Sequence, residues 1–279
     1  KALRDLDYFD FDEPFTGLFT QGMVTHQTYC DKLGTWVRPD ELYLDKESKI
    51  LKKINNDEDV KIGRIEKMSK SKQNVVDPTS IIKKYGADTA RWYMMSDSPP
   101  DRDLEWTESG IEGSFRFINR IWRLVYNISH YEEKKENYNK KKEVEFQETI
   151  NEYVEKITTN IEKFHFNKMI ANIYELTNYA QKEYERHSVS NKKLLNFVNV
   201  YARLIHPVIP HISEEVWGYF KNKGMVINQP WPKTEPIEFN RQELKIKIAL
   251  QINGKTRSIL EIINNIDKDA AEKMALKDK

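Results

Sequence analysis

Between Thr107 and about Asn222 the apolar residues recur at alternating steps of three and four, the period that an α-helix turns into one buried face. Ile111, Phe115, Ile118, Trp122 and Val125 trace the first stripe, with Thr107 placed as N-cap and Glu108 as a first-turn acid. Ile150, Val154, Ile157, Ile161 and Phe164 trace a second, and Ile170, Ile173, Thr177, Ala180 and Tyr184 a third that Asn167 can cap. Leu195, Val198, Ala202 and Ile205 give a fourth; Pro207 and Pro210 then break the chain, and Ser213 with Glu214 and Glu215 opens a short helix carrying Val216, Trp217 and Phe220. Stripes of this kind are buried only by facing one another, so residues 98–222 are expected as an all-α helix bundle whose Trp and Phe positions are core. The mixed-sign run from Glu132 to Glu145 reads as a solvated loop or helix extension.

The flanks have a different texture. Residues 1–97 carry short, interrupted strand-like runs: Leu18–Val24 as one buried strand, then Thr28–Cys30, Gly34–Val37 and Leu42–Leu44 as shorter ones. A basic Ser- and Lys-rich loop, Lys67–Lys72, precedes two helices, one opening at Asp77-Pro78 and one over Ala87–Met94, before the linker Ser98–Asp103. Residues 223–279 read as a linker and a partial α+β unit. Lys245–Ile252 alternates polar and apolar, Asn253-Gly254 suits a type I′ turn, Lys255–Leu260 returns, and a last helix starts near Asp267. The fold class is therefore mixed, with α/β, all-α and small α+β parts in that order.

Several classes of protein are excluded. No run approaches the roughly 18 apolar residues that a membrane-spanning helix needs, and the N-terminus has no apolar signal core. The single cysteine, Cys30, permits neither an internal disulfide nor a cysteine-cluster zinc site, in keeping with a reducing, cytoplasmic setting. A net charge of +1 means that a nucleic-acid partner must be held by local basic patches.

Such a patch exists. Between Lys61 and Lys84 seven basic residues (Lys61, Arg64, Lys67, Lys70, Lys72, Lys83, Lys84) face two acids, Glu66 and Asp77, a surplus of five positive charges in a nearly neutral chain. Ser69 and Ser71 alternate with the lysines, so backbone N–H and hydroxyl donors can approach an anion while the ammonium groups add point charge. A triphosphate fits such a loop, although composition alone is equally that of a solvated basic loop with no ligand.

The order of residues is more specific. Lys67-Met68-Ser69-Lys70-Ser71, continuing through Lys72-Gln73 into Asn74-Val75-Val76-Asp77-Pro78, resembles the KMSKS signature of the class I aminoacyl-tRNA synthetases. The neighbourhoods Glu13–Val24, Tyr85–Arg91, Asp101–Trp106 and Gly110–Gly113 are similar to those of the bacterial-type leucyl-tRNA synthetases, and the resemblance runs over nearly the whole chain. The valyl, isoleucyl and methionyl enzymes share the lysine loop but not the Gln21–Val24 and Leu104–Trp106 contexts. Leu204–Trp217 is similar to the signature of the class Ia anticodon-binding bundle, and Gln251–Arg257 to the start of the leucyl enzymes' C-terminal domain.

The resemblance implies that residues 1–97 are the C-terminal remainder of a Rossmann-like catalytic domain. It implies ATP as substrate with Mg2+, bound by Lys67, Met68, Ser69, Lys70 and Ser71, with Lys67 and Lys70 catalytic. L-leucine and tRNA(Leu) are the implied partners, in a monomeric cytoplasmic enzyme. The family's histidine signature of the H-I-G-H type is absent from this sequence, as is an editing domain, so the chain alone is expected to be inactive. A non-catalytic, tRNA-binding half of a split synthetase is the alternative.

Other residues carry weaker signals. Arg116, Arg120 and Arg123 follow i, i+4, i+7 spacing and form one basic stripe, either an RNA-backbone contact or a solvated face with ion pairs. His206 and His211 are five apart around two prolines, wrong for a helical metal pair, so packing or capping is expected and no metal. Trp106 reads as an anchor between domains rather than a platform for a base.

Overall fold

The computed structural model describes residues 1–13, 15–132, 140–235, 245–252, 255–263 and 267–276. After a single helical turn, α1 (Ala2–Asp5), the first sheet is built from β1 (Val24–Cys30), β4 (Lys61–Lys67) and β5 (Leu104–Glu105), in the order β4-β1-β5. β1 runs antiparallel to β4 and parallel to β5. Between β1 and β4 the chain makes a separate two-stranded ribbon, β2 (Leu42–Leu44) against β3 (Leu51–Lys53).

Two expectations for this region are corrected. Leu18–Met23 is not strand: Leu18 is 91% exposed, and β1 begins only at Val24. Its end, Gln21–Met23, instead runs beside Pro99–Asp103, where two consecutive prolines supply no N–H for a ladder. Gly22 N–H donates to the Pro100 carbonyl (2.9 Å), and a Cβ at Gly22 would lie 2.0 Å from the Arg102 carbonyl oxygen, so only glycine fits this approach. Gly34–Val37 contributes only an isolated bridge, Cys30 to Trp36. Conversely, Lys61–Lys67, in which no strand was expected, is the long partner of β1.

Two helices follow. α2 (Pro78–Tyr85) is capped by Asp77, whose carboxylate accepts from Thr79 and Ser80 N–H (3.1 and 3.2 Å). Gly86, at φ +86°, reverses the chain into α3 (Ala87–Ser96). Trp92 of α3 is fully buried within the core of the helical part, and its Nε1 donates to Tyr174 Oη (3.2 Å).

The helical part comprises α4 (Glu108–Ser129), α5 (Lys140–Glu162), α6 (Phe166–Glu185), α7 (Asn191–Ile205) and α8 (Pro210–Tyr219). Thr107 caps α4 as expected, accepting from Gly110 N–H (3.2 Å). The buried face of α4 is centred on Ile111, Ser114, Phe117, Ile118, Ile121, Leu124, Val125 and Ile128. Phe115 stands at its edge, 39% exposed, and Phe164 is 51% exposed beyond the end of α5, so not every aromatic is core. Asn167 lies inside the first turn of α6, whose N-cap is His165, and α8 starts at Pro210 rather than Ser213. Residues 133–139, most of the charge run after Glu132, lie outside the described residues.

Contacts divide the chain into compact units at Lys1–Thr234 and Glu235–Lys279. The stretch after Asn222 stays with the bundle: Val226 is buried, and Trp231 Nε1 donates to Thr158 Oγ1 (2.8 Å). The second unit contains an antiparallel pair, β6 (Lys245–Ile252) and β7 (Lys255–Ile263), and α9 (Lys268–Ala275). The Asn253-Gly254 turn expected between these strands lies outside the described residues. Among the described residues no helix is long and apolar enough to cross a membrane.

Candidate functional site

The lysine loop leaves the sheet where β4 ends. Thr25 of β1 pairs with Lys67 and His26 with Glu66, and Met68 N–H donates to the Val24 carbonyl (3.1 Å), so the ladder holds the chain until Met68. Beyond it the loop closes on itself. Ser69 N–H donates to Asn74 Oδ1 (2.9 Å), Lys72 N–H to Ser69 Oγ (3.3 Å) and Gln73 N–H to the Lys70 carbonyl (3.3 Å), with Gln73 at φ +53°. The Ser69 and Ser71 hydroxyls are 3.3 Å apart.

Lys67, Lys70 and Ser71 are exposed, whereas Met68 and Ser69 are half-buried, Met68 against the cluster of Ile81, Tyr85, Tyr93 and Trp106. Lys72 is committed to an ion pair with Glu66. Lys70 and Gln73 line an open cavity of about 630 Å³ together with Arg38, Glu41, Val75, Asp77 and Pro78. Lys67 and Lys70 thus present unpaired ammonium groups to solvent among the described ion pairs, on a loop whose stem is fixed.

The stem contains two groups that the spacing of lysines did not reveal. Asn74 is fully buried, and its Nδ2 lies 3.1, 3.2 and 3.4 Å from the carbonyls of His26, Glu66 and Lys67. His26 Nδ1 donates to the Asn74 carbonyl (3.2 Å), and burial holds the imidazole below its usual 6.5. Asn74 was visible as part of the Asn74–Pro78 continuation, but nothing in a sequence announces that a carboxamide will be buried.

The arginine stripe is split by the fold. Arg116 and Arg123 are exposed on α4. Arg120 is half-buried, donates to Asn178 Oδ1 of α6 and lies over the Phe117 ring, 5.2 Å from its centroid. It spends part of its donor capacity inside the protein. Trp106 is buried and meets Tyr93 edge-on at 5.1 Å, so its ring is a packing element. His206 Nδ1 lies 3.3 Å from Ser213 Oγ, and His211 Nδ1 lies 3.5 Å from Asp88. Among the described residues no group of three or more His, Cys, Asp or Glu could hold a metal ion.

A second constellation joins α3 to α8. The N-cap residue of α8, Ile209, gives no side-chain hydrogen bond; Asp88 of α3 accepts instead from Ile212 N–H (2.8 Å) while pairing with Arg91 (2.9 Å). This brings a carboxylate to the positive end of a helix.

Residues 56–107 match the family model described as tRNA synthetases class I (I, L, M and V), and residues 143–272 that of the anticodon-binding domain of tRNA ligase. The leucine--tRNA ligase of Zymomonas mobilis is 42% identical over 99% of this chain and 31% of its own length, and that of Rhodospirillum rubrum 39% identical over 99% and 32%. Over nearly its whole length the chain is thus similar to leucine--tRNA ligases. It spans about a third of the length of the family members it matches. A solved member, the Agrobacterium radiobacter K84 agnB2 LeuRS in a ternary complex with tRNA and LeuAMS, superposes with a TM-score of 0.71 at 27% identity, over 99% of this chain and 32% of the other. All three relatives named are leucine enzymes, a distinction that the class I model, which spans I, L, M and V, does not make.

Proposed function

We propose that the chain supplies the ATP-phosphate-binding lysine loop and a tRNA-binding helical surface to a leucyl-tRNA synthetase. The complete enzyme would convert ATP, L-leucine and tRNA(Leu) to leucyl-tRNA, AMP and pyrophosphate in the cytoplasm, as a monomer. As the leucine carboxylate attacks the α-phosphorus, negative charge accumulates on the departing pyrophosphate. Lys70, with Lys67 beside it, would meet that charge, and the hydroxyls and N–H groups of Ser69 and Ser71 would add donors. Catalysis of this kind rests on positioning and on charges already in place when the transition state forms.

The observation that carries the reading is a loop with the Lys67–Ser71 sequence, anchored at its stem and presenting Lys67 and Lys70 outward. Mg2+, expected from the family, would neutralise phosphate charge. The residues here do not fit a resident metal site: Glu66 is paired with Lys72, and Asp77 is engaged at the start of α2. The chain's own part is the lysine charge.

Lys70→Ala in a complete enzyme carrying this chain is expected to lower ATP–pyrophosphate exchange by about 10²–10³, the scale for losing one donor to developing charge. Wild-type exchange in a folded variant would overturn the assignment. For tRNA, the support is the exposed Arg116 and Arg123 on α4, the match of residues 143–272 to an anticodon-binding domain, and the tRNA complex of the solved relative.

A further inference from the structure

The loop's exposed lysines are useless to a ligand unless the chain delivers them to one place, and the exposed tip is held by two long turn hydrogen bonds (3.3 Å each) and the surface Lys72–Glu66 ion pair. What holds it is at the stem. Asn74 has no exposed surface, yet it carries one of the most polar neutral side chains. Burying a carboxamide is unfavourable unless its donors and acceptor are satisfied, and here all are: Oδ1 takes the Ser69 N–H, and Nδ2 is shared among the carbonyls of His26, Glu66 and Lys67.

These partners belong to three pieces of chain. His26 lies on β1, Glu66 and Lys67 on β4, and Ser69 opens the loop. The His26 imidazole closes the arrangement by donating to the backbone carbonyl of Asn74. One side chain therefore ties both strands to the first loop residue, and its own backbone is tied back to β1. The ring from Ser69 to Asn74 is shut at its base while Lys70 and Ser71 stay exposed at its tip.

We propose that Asn74 is the positioning residue of the lysine loop, its buried carboxamide locking the stem to β1 and β4 so that only the Lys70–Gln73 tip moves onto a phosphate group. This rests on the reading of the loop as an ATP-phosphate site. The carboxamide is required because the cage needs, in one flat group, an acceptor for Ser69 N–H and two N–H donors shared among three carbonyls. Aspartate has the same shape but would turn a second oxygen toward those carbonyls, with the Glu66–Lys72 pair nearby.

Amide hydrogen exchange on the chain as it stands tests the clamp without any substitution. Ser69 N–H should exchange at least about tenfold more slowly than Lys70 N–H and Ser71 N–H, because its acceptor is buried. Equal exchange at these three positions overturns the clamp. Asn74→Asp should then speed tryptic cleavage after Lys70 and Lys72 about tenfold while other sites stay protected; cleavage unchanged from wild type also overturns it. In the complete enzyme, Asn74→Asp should lower kcat for ATP–pyrophosphate exchange about 10–100-fold with KM for leucine unchanged, since misplacing a catalytic group by about 1 Å has effects of that size. Lys70→Ala serves as the control. If Lys70→Ala slows exchange and Asn74→Asp does not, the positioning role fails and the ATP reading stands; if neither does, the ATP reading fails.

Discussion

Replacing Asp88 by alanine tests whether α3 and α8 are joined by a specific cap rather than by general packing. The Asp88 side chain is 10% exposed; it accepts from Ile212 N–H at 2.8 Å, pairs with Arg91 at 2.9 Å and has the exposed His211 ring 3.5 Å away. Removing the carboxylate leaves the Ile212 N–H, in the first turn of α8, without its partner. Loss of a capping side chain is worth about 1 kcal/mol, up to about 2 in protein hosts, and the bond to a charged acceptor places this site in the upper part of that range. The Arg91 pair adds less than about 1 kcal/mol because the guanidinium is 44% exposed. The total is about 2–3 kcal/mol, which for a unit of this size lowers Tm by about 4–12 °C. Asp88→Asn, which keeps an oxygen for Ile212 N–H, should lose only about 1 kcal/mol. Thermal melts of the three proteins followed by circular dichroism decide the matter. Asp88→Ala melting within about 1 °C of wild type would show that Ile212 N–H is satisfied some other way and that the cap is not what secures α8.

Changing Arg116 and Arg123 to alanine together should reduce the slope of log K for tRNA against log salt by about 1.5, since each lost phosphate contact contributes roughly 0.7–0.9; Arg120→Ala should add little to that change, because Arg120 is engaged by Asn178. An equal contribution from all three would contradict the split stripe. The isolated chain should show no ATP–pyrophosphate exchange, and measurable exchange would require a second nucleotide site. Burial keeps the His26 pKa below 6.5, so as pH falls toward and below that value the unfolded chain takes up its proton first and the native state loses stability. His26→Asn should therefore flatten the dependence of Tm on pH between about 5 and 7, and an undiminished slope would place the effect on other histidines.

The parts of the fold legible in the sequence are those set by local chemistry. Thr107 and Asp77 cap the helices they were expected to cap, because a short oxygen-bearing side chain before a helical stripe has few other uses. The lysine loop was legible for a similar reason: its charge and its order are written in adjacent residues. What failed depended on partners distant in sequence. The stripe through Phe115 and Trp122 obeys the helical period, yet α4 meets neighbours over an arc centred on Phe117, Ile121 and Leu124, which leaves Phe115 against Tyr85 at 5.7 Å with part of its ring in solvent. Leu18–Met23 has the composition of a strand, but its end lies beside Pro99 and Pro100, which offer no donors, and Leu18 stands in solvent. Lys61–Lys67 has the composition of a loop but lies beside β1 and is paired by it. At the site, Lys67 and Lys70 were readable as exposed charge, while Asn74 and the Asn178 contact of Arg120 needed a fold to bring them to their partners.

The burial of Trp92 sets a limit on how this architecture can be recombined. Its ring is a structural member of the bundle contributed by a helix from the other side of the linker, meeting Phe117 at 5.1 Å and Tyr174 at 5.4 Å. A bundle transplanted from residue 98 onward into another protein would arrive with an indole-sized hole beside Tyr174. Exchange of the helical part between related chains would succeed only when the cut is made upstream of α3, so that α3 and its Trp92 travel with the bundle and the unit of inheritance straddles the linker.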